Sequence, residues 1–119
     1  MALGANATLS STIDKGTRIF NINNGRKLAV IDMGMVTAAN VIVAGAITLD
    51  GTDLRRMGFS KLLAAPDASA WTAANAFVPC SARWDAKNGK LMLYDAAGAA
   101  LTAAAIGNGG TLRLLVLGM

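Results

Sequence analysis

Apolar and polar positions alternate most regularly between residues 78 and 95. On the entering side Val78, Cys80, Ala82 and Trp84 alternate with Pro79, Ser81 and Arg83; on the leaving side Leu91 and Leu93 alternate with Lys90, Met92 and Tyr94. Successive side chains of a strand point to opposite faces, so each run has one apolar face. Between the runs, Asn88-Gly89 supplies the positive φ that a tight connection needs, and Asp85 is placed to accept a backbone hydrogen bond two residues on. The pattern predicts a β-hairpin with a three- to five-residue loop and a glycine bulge. A two-stranded ribbon is marginal in water, so this one must lie on a larger sheet or on a second sheet.

The rest of the chain supplies candidates for that sheet. Residues 17–22 read as a strand, Asn23-Asn24-Gly25 as a turn, and 26–36 as the second arm of another hairpin. Within it, Leu28-Ala29-Val30-Ile31-Asp32-Met33 is apolar on both faces apart from Asp32, which suits a strand covered on both sides or at a subunit contact. After a link at 37–40, the β-branched run 41–49 predicts a strand, with Gly45 marking a bulge or a close backbone approach. Residues 50–59 predict one short helical turn, with Thr52 as N-cap, Asp53 at the positive end and Gly58 as terminator. Residues 59–65 resume a strand pattern, 66–76 are an alanine-rich link carrying Trp71, 99–106 are weakly strand-like, and 111–117 form an interior strand whose one charge is Arg113. Residues 1–16 hold few large apolar groups, which predicts a flexible N-terminal arm or a strap on a neighbour, with the folded domain at 17–119. Seven to nine short strands with a turn about every ten residues predict an all-β fold, a β-sandwich or jelly roll with one short helical turn.

Composition narrows the chemistry. At 119 residues the chain has the length of one domain, and with 54% hydrophobic but only 5% aromatic residues its core is expected to be Leu, Ile, Val and Met. There is no histidine, and all seven acidic residues are aspartates. The usual general base and the commonest metal ligand are therefore missing. Asp14, Asp50, Asp53, Asp67, Asp85 and Asp95 sit beside turn signals. Asp50 and Asp53 are too few for a cation site; Asp32 is expected to pair with Arg113 or another base. The single Cys80 reads as a small buried thiol. With no Ser/His/Asp set, Cys/His pair, zinc pattern or phosphate loop, the expectation is no enzyme, no catalytic or metal-binding residue and no cofactor.

Net charge is +4, but the basic residues are spread along the chain, with adjacent pairs only at Arg26-Lys27 and Arg55-Arg56. Without aromatic residues interleaved among them, a nucleic-acid partner is not expected; a basic surface meeting an acidic protein explains the charge as well. Candidate partner or oligomer contacts are Arg18, Arg26, Lys27, Arg55, Arg56 and Trp71. Residues 1–12 lack the basic-then-apolar pattern of a signal peptide, and the apolar stretch 33–49 is interrupted and shorter than the ~20 residues of a membrane helix, so no membrane partner is expected.

The order of these elements resembles the small capsid-stabilising (cement or decoration) proteins of tailed bacteriophages over residues 17–118. The resemblance is carried by the early strand pair, the Gly51-Thr52-Asp53-Leu54-Arg55-Arg56-Met57-Gly58-Phe59 segment, the hairpin from Arg83 through Trp84, Asn88-Gly89 and Tyr94 to Gly98, and the final Thr111-Leu112-Arg113-Leu114-Leu115-Val116-Leu117-Gly118 strand. It implies a β-sandwich or jelly-roll protein, made in the host cytoplasm, on the outer surface of the virion capsid. There it bridges major capsid protein subunits as a homo-dimer or homo-trimer. Two other readings stay open: a phage tail or baseplate subunit, and a carbohydrate-binding β-sandwich with Trp71, Trp84 and Tyr94 as stacking residues.

Overall fold

A computed structural model describes residues 3–11, 19–21 and 25–119. Among them are eight strands: β1 (Ala7–Ser11), β2 (Ile19–Asn21), β3 (Lys27–Met35), β4 (Ala46–Thr48), β5 (Leu62–Trp71), β6 (Phe77–Asp85), β7 (Lys90–Asp95) and β8 (Thr111–Gly118). They pair antiparallel in the order β1-β3-β8-β5-β6-β7-β4, with β2 also on β3, and make one curled sheet. The described helices are short: α1 (Ala38–Val41), α2 (Gly51–Arg56), α3 (Ala103–Ile106) and a 3-10 turn at Gly4–Asn6. The fold is all-β with few helical turns.

The curl is made within β6. Its first part pairs with β5 and ends at Pro79 opposite Ser69; from Cys80 to Asp85 it pairs with β7 instead. Proline has no N–H to give to a ladder, so the strand changes neighbours there. Ile47 and Leu49, and Leu91 and Leu93 of β7, thereby share one core with Ile31 and Met33 of β3 and Leu112 and Leu114 of β8. As the apolar character of both faces of 111–117 predicts, β8 lies inside the sheet, between β3 and β5. Its Leu112, Leu114 and Val116 are fully buried, each burial contributing roughly 1.5–3 kcal/mol.

The hairpin forms as read. Asp85 accepts from the backbone N–H of Asn88 at 3.3 Å and from its side-chain amide at 2.8 Å, and Gly89 takes φ +65° before β7 begins. The helical turn at α2 also forms, but its N-cap is Asp50 rather than Thr52. The Asp50 carboxylate accepts from the Asp53 N–H at 2.9 Å, and that of Asp53 from the Asp50 N–H at 3.1 Å. This reciprocal box starts the helix two residues earlier and leaves Thr52 inside it.

Other expectations change. The described part of 1–16 is not a flexible arm: β1 runs along β3 from Ala7 opposite Met35 to Ser11 opposite Ile31, and Leu3 is only 1% exposed. The Leu3 N–H donates to Asp53 at 3.4 Å, and the Arg56 guanidinium donates to the carbonyls of Gly4 and Ala7, each at 3.4 Å. An added strand is held by its backbone and needs few large side chains, so composition understated this segment. Residues 3–11 thus belong to the same sheet as 27–118; the rest of the proposed arm, 1–2 and 12–16, lies outside the described residues.

In the run 41–49, α1 takes the first position, and Ala44 and Gly45 turn the chain at positive φ into β4. Gly45 is a close approach as read, since a Cβ there would lie 2.6 Å from that of Ala100. The link 66–76 is strand as far as Trp71, because register shifts between Leu62 and Ala64 and between Ala64 and Asp67 accommodate Pro66. Residues 103–106 are helical, and only Ala100 of that weak strand makes a bridge, to Tyr94.

Candidate interaction surface

The neighbouring strands β3 and β8 bury one side each and turn the other outward. Ala29, Ile31, Met33 and Met35 of β3 are buried while Leu28, Val30 and Asp32 are part-exposed; in β8 Thr111, Arg113, Leu115 and Leu117 face the same way. The register sets Leu28 opposite Leu117, Val30 opposite Leu115 and Asp32 opposite Arg113. Two rows result on one outer face: an apolar row of four aliphatic side chains, and a charged row one pair further along.

The charged row continues into aromatic residues. Arg113 donates Nε to Asp32 Oδ1 at 2.7 Å and Nη2 to Oδ2 at 3.0 Å, the pairing expected from Asp32 in an apolar strand. Its guanidinium carbon lies 5.6 Å from the Trp71 ring centroid, and Trp71 meets Phe77 at 5.9 Å with the rings tilted by 57°. Asp32, Arg113, Trp71 and Phe77 therefore cross β3, β8, β5 and β6 in contact. The ion pair contributes little stability, because the Arg113 side chain is 46% exposed and screened by solvent. Its bidentate geometry instead holds the guanidinium beside the indole. Phe77, 59% exposed, ends the row at the surface.

The candidate contacts read from the sequence do not form one surface. Trp71 belongs to the row, at the end of the sheet where Thr111 begins β8. Lys27 lies at the other end, opposite Gly118, and donates to the Gly58 carbonyl at 3.4 Å; Arg26 beside it is exposed. Arg56 serves the fold by tying α2 to the first residues, and Arg55 donates to Thr52 Oγ1 at 3.4 Å. Arg18 lies outside the described residues. Phe77, Leu115 and Leu117 were not read as contacts, whereas the strand that carries Leu28 and Val30 was read as covered on both sides or at a subunit contact. Their signals were a large apolar residue out of phase with Val78 and Cys80, and the apolar residues on both faces of β3 and β8.

The three stacking candidates for a sugar do not share a platform. Trp71 lies on the outer face with Arg113 over its ring, Trp84 packs inward against the core, and Tyr94 is on the side of β7 opposite Leu93. Among the described residues no group of three or more His, Cys, Asp or Glu is placed to hold a metal ion. The Cys80 thiol is half-buried; burial, and then the charge of Asp67, push its pKa up, which makes it a weaker nucleophile. Buried Asp53 spends its carboxylate on the Asp50 and Leu3 N–H groups. No protein family, curated protein or solved structure matched the chain.

Proposed function

We propose that this chain is a structural virion protein of the capsid-decorating kind, which binds the outer surface of a phage head and stabilises it by bridging major capsid subunits. The reading starts from the resemblance of residues 83–98 and 111–118. The observation that supports it best is the Asp32–Arg113–Trp71–Phe77 row. A tryptophan and an arginine fixed in place on a broad sheet face, with an exposed phenylalanine beside them, match the residue types that anchor protein–protein contacts. A shell repeats its contact sites by symmetry, so a small oligomer that engages two of them gains retention by avidity from modest contacts.

The test is co-sedimentation of the purified chain with heads of the encoding phage that lack it, followed by heat or low-salt challenge. Saturable binding and delayed rupture are expected. Trp71→Ala with Phe77→Ala is expected to weaken binding at least about tenfold while the fold is kept, since both side chains lie on the outer face. No binding, with self-assembly into rings or tubes, would move the chain to the tail or baseplate reading.

A further inference from the structure

The aliphatic row beside the charged one has no function in the reading above. Leu28, Val30, Leu115 and Leu117 are part-exposed on the side of β3 and β8 that faces away from the core; on β5, Ala64 extends the row opposite Leu117, while exposed Asp67 borders it opposite Leu115. The outer face of an antiparallel sheet curled over its own core is normally polar, so a run of four branched aliphatic residues there calls for a cover. We propose that this face closes against the same face of a second copy, so that the protein is a two-fold dimer in solution.

Three observations favour a second copy over another occupant. The row itself is aliphatic and is bordered on β5 by the carboxylate of Asp67, so two copies of a chain that carries +4 meet along it without bringing cations together. Interfaces between identical copies are also the more apolar kind. Second, a sheet face stacks on one other face at about 10 Å, which closes at two copies and leaves no third site.

Third, the register is self-complementary. A two-fold axis running across the strands between the Leu28–Leu117 and Val30–Leu115 pairs lays each pair on the other. It also brings exposed Arg26, two residues ahead of Leu28, over Asp32 of the second copy, a cation over a carboxylate. The overlap spans about 20 Å along the strands and about 19 Å across four of them, about 400 Å² in projection. Corrugation raises the accessible area, but it stays at the low end for stable pairs, so the dissociation constant is expected on the order of micromolar.

In this arrangement each Trp71–Phe77 row overhangs the end of the other copy. The dimer thus presents two such rows, one at each end. This last step rests on the capsid reading, whereas dimerisation does not.

Sedimentation equilibrium of the full chain alone, from nanomolar to hundreds of micromolar, tests the pairing. Mass rising to twice the 12.1 kDa protomer and levelling there is expected. A monomer throughout, or a trimer, overturns the proposal. Leu115→Asp is expected to raise the dissociation constant at least about 100-fold, because it would bury an unpaired charge. Arg26→Asp, outside the strands and harmless to the fold, is expected to raise it about tenfold by setting two carboxylates face to face. An unchanged constant for Arg26→Asp overturns the register and axis proposed here.

Head binding separates the two readings. A Leu115→Asp monomer that still binds heads, at least about tenfold more weakly than the dimer, supports bivalent contact. A wild-type dimer that fails to bind heads sinks the capsid reading and leaves the pairing intact.

Discussion

Trp84 carries a conflict within one side chain. Its ring packs against the core, while its Nε1–H is buried with no acceptor among the described residues. A buried donor without a partner costs about 1–3 kcal/mol, and the lost volume of a Trp→Phe change costs a comparable amount. Trp84→Phe is therefore expected to leave stability within about 1 kcal/mol of wild type, against roughly 3–5 kcal/mol lost by Trp84→Ala. Chemical denaturation reads both; a large loss for phenylalanine would mean that the N–H has a partner.

Cys80 makes a second residue-scale case. Its raised thiol pKa means less thiolate at a given pH, so iodoacetamide is expected to modify the native chain more slowly than the urea-unfolded chain near neutrality. The linked stability is full below the ordinary thiol pKa and is lost as pH rises through the higher folded value. Equal rates for native and unfolded chain would contradict the burial of the thiol.

At the scale of elements, the first strand matters most because it is docked rather than loose. Leu3 is buried, its N–H reaches Asp53 of α2, and Arg56 of the same helix holds the carbonyls of Gly4 and Ala7. Leu3→Ala is expected to cost about 2–5 kcal/mol, and removal of residues 1–11 to cost more, both visible as a lower melting temperature. A truncated chain that melts with the wild type would return this segment to the role of an arm. The contrast shows which elements a sequence exposes. The β6–β7 hairpin, β8 and α2 were legible because their signals are local: Asn88-Gly89, an aliphatic run, and Asp53 followed by Gly58, although the reciprocal box that moves the cap from Thr52 to Asp50 was not read. β1 was not, because its hold is backbone pairing with positions 20 to 28 residues further along the chain. The far end of β5 was hidden by Pro66, which register shifts absorb, and α3 by alanines that serve helix and strand alike. Of the contact surface, Trp71 and the Asp32–Arg113 pair were legible, while Phe77 was missed because exposure depends on which neighbour a strand finally takes.

For the molecule as a whole, the pairing that joins its two ends sets the pace. β8 sits between β3 and β5, and its contact from Arg113 to Asp32 spans 81 positions. All-β chains dominated by such distant pairings fold in milliseconds to seconds. Stopped-flow refolding followed by tryptophan fluorescence is expected to show its main phase on that scale, and completion within microseconds would contradict this topology. The β6–β7 hairpin closes only a four-residue loop, from Ala86 to Gly89, and such ribbons form in about 1–10 μs. The stretch most easily recognised in the sequence is thus the one that the chain finds first in time. The row of Asp32, Arg113, Trp71 and Phe77 stands at the other extreme, since it exists only after the slowest pairing is complete. A partner that grips this row gains a maturity check at no further cost: it holds finished copies and passes over those still folding.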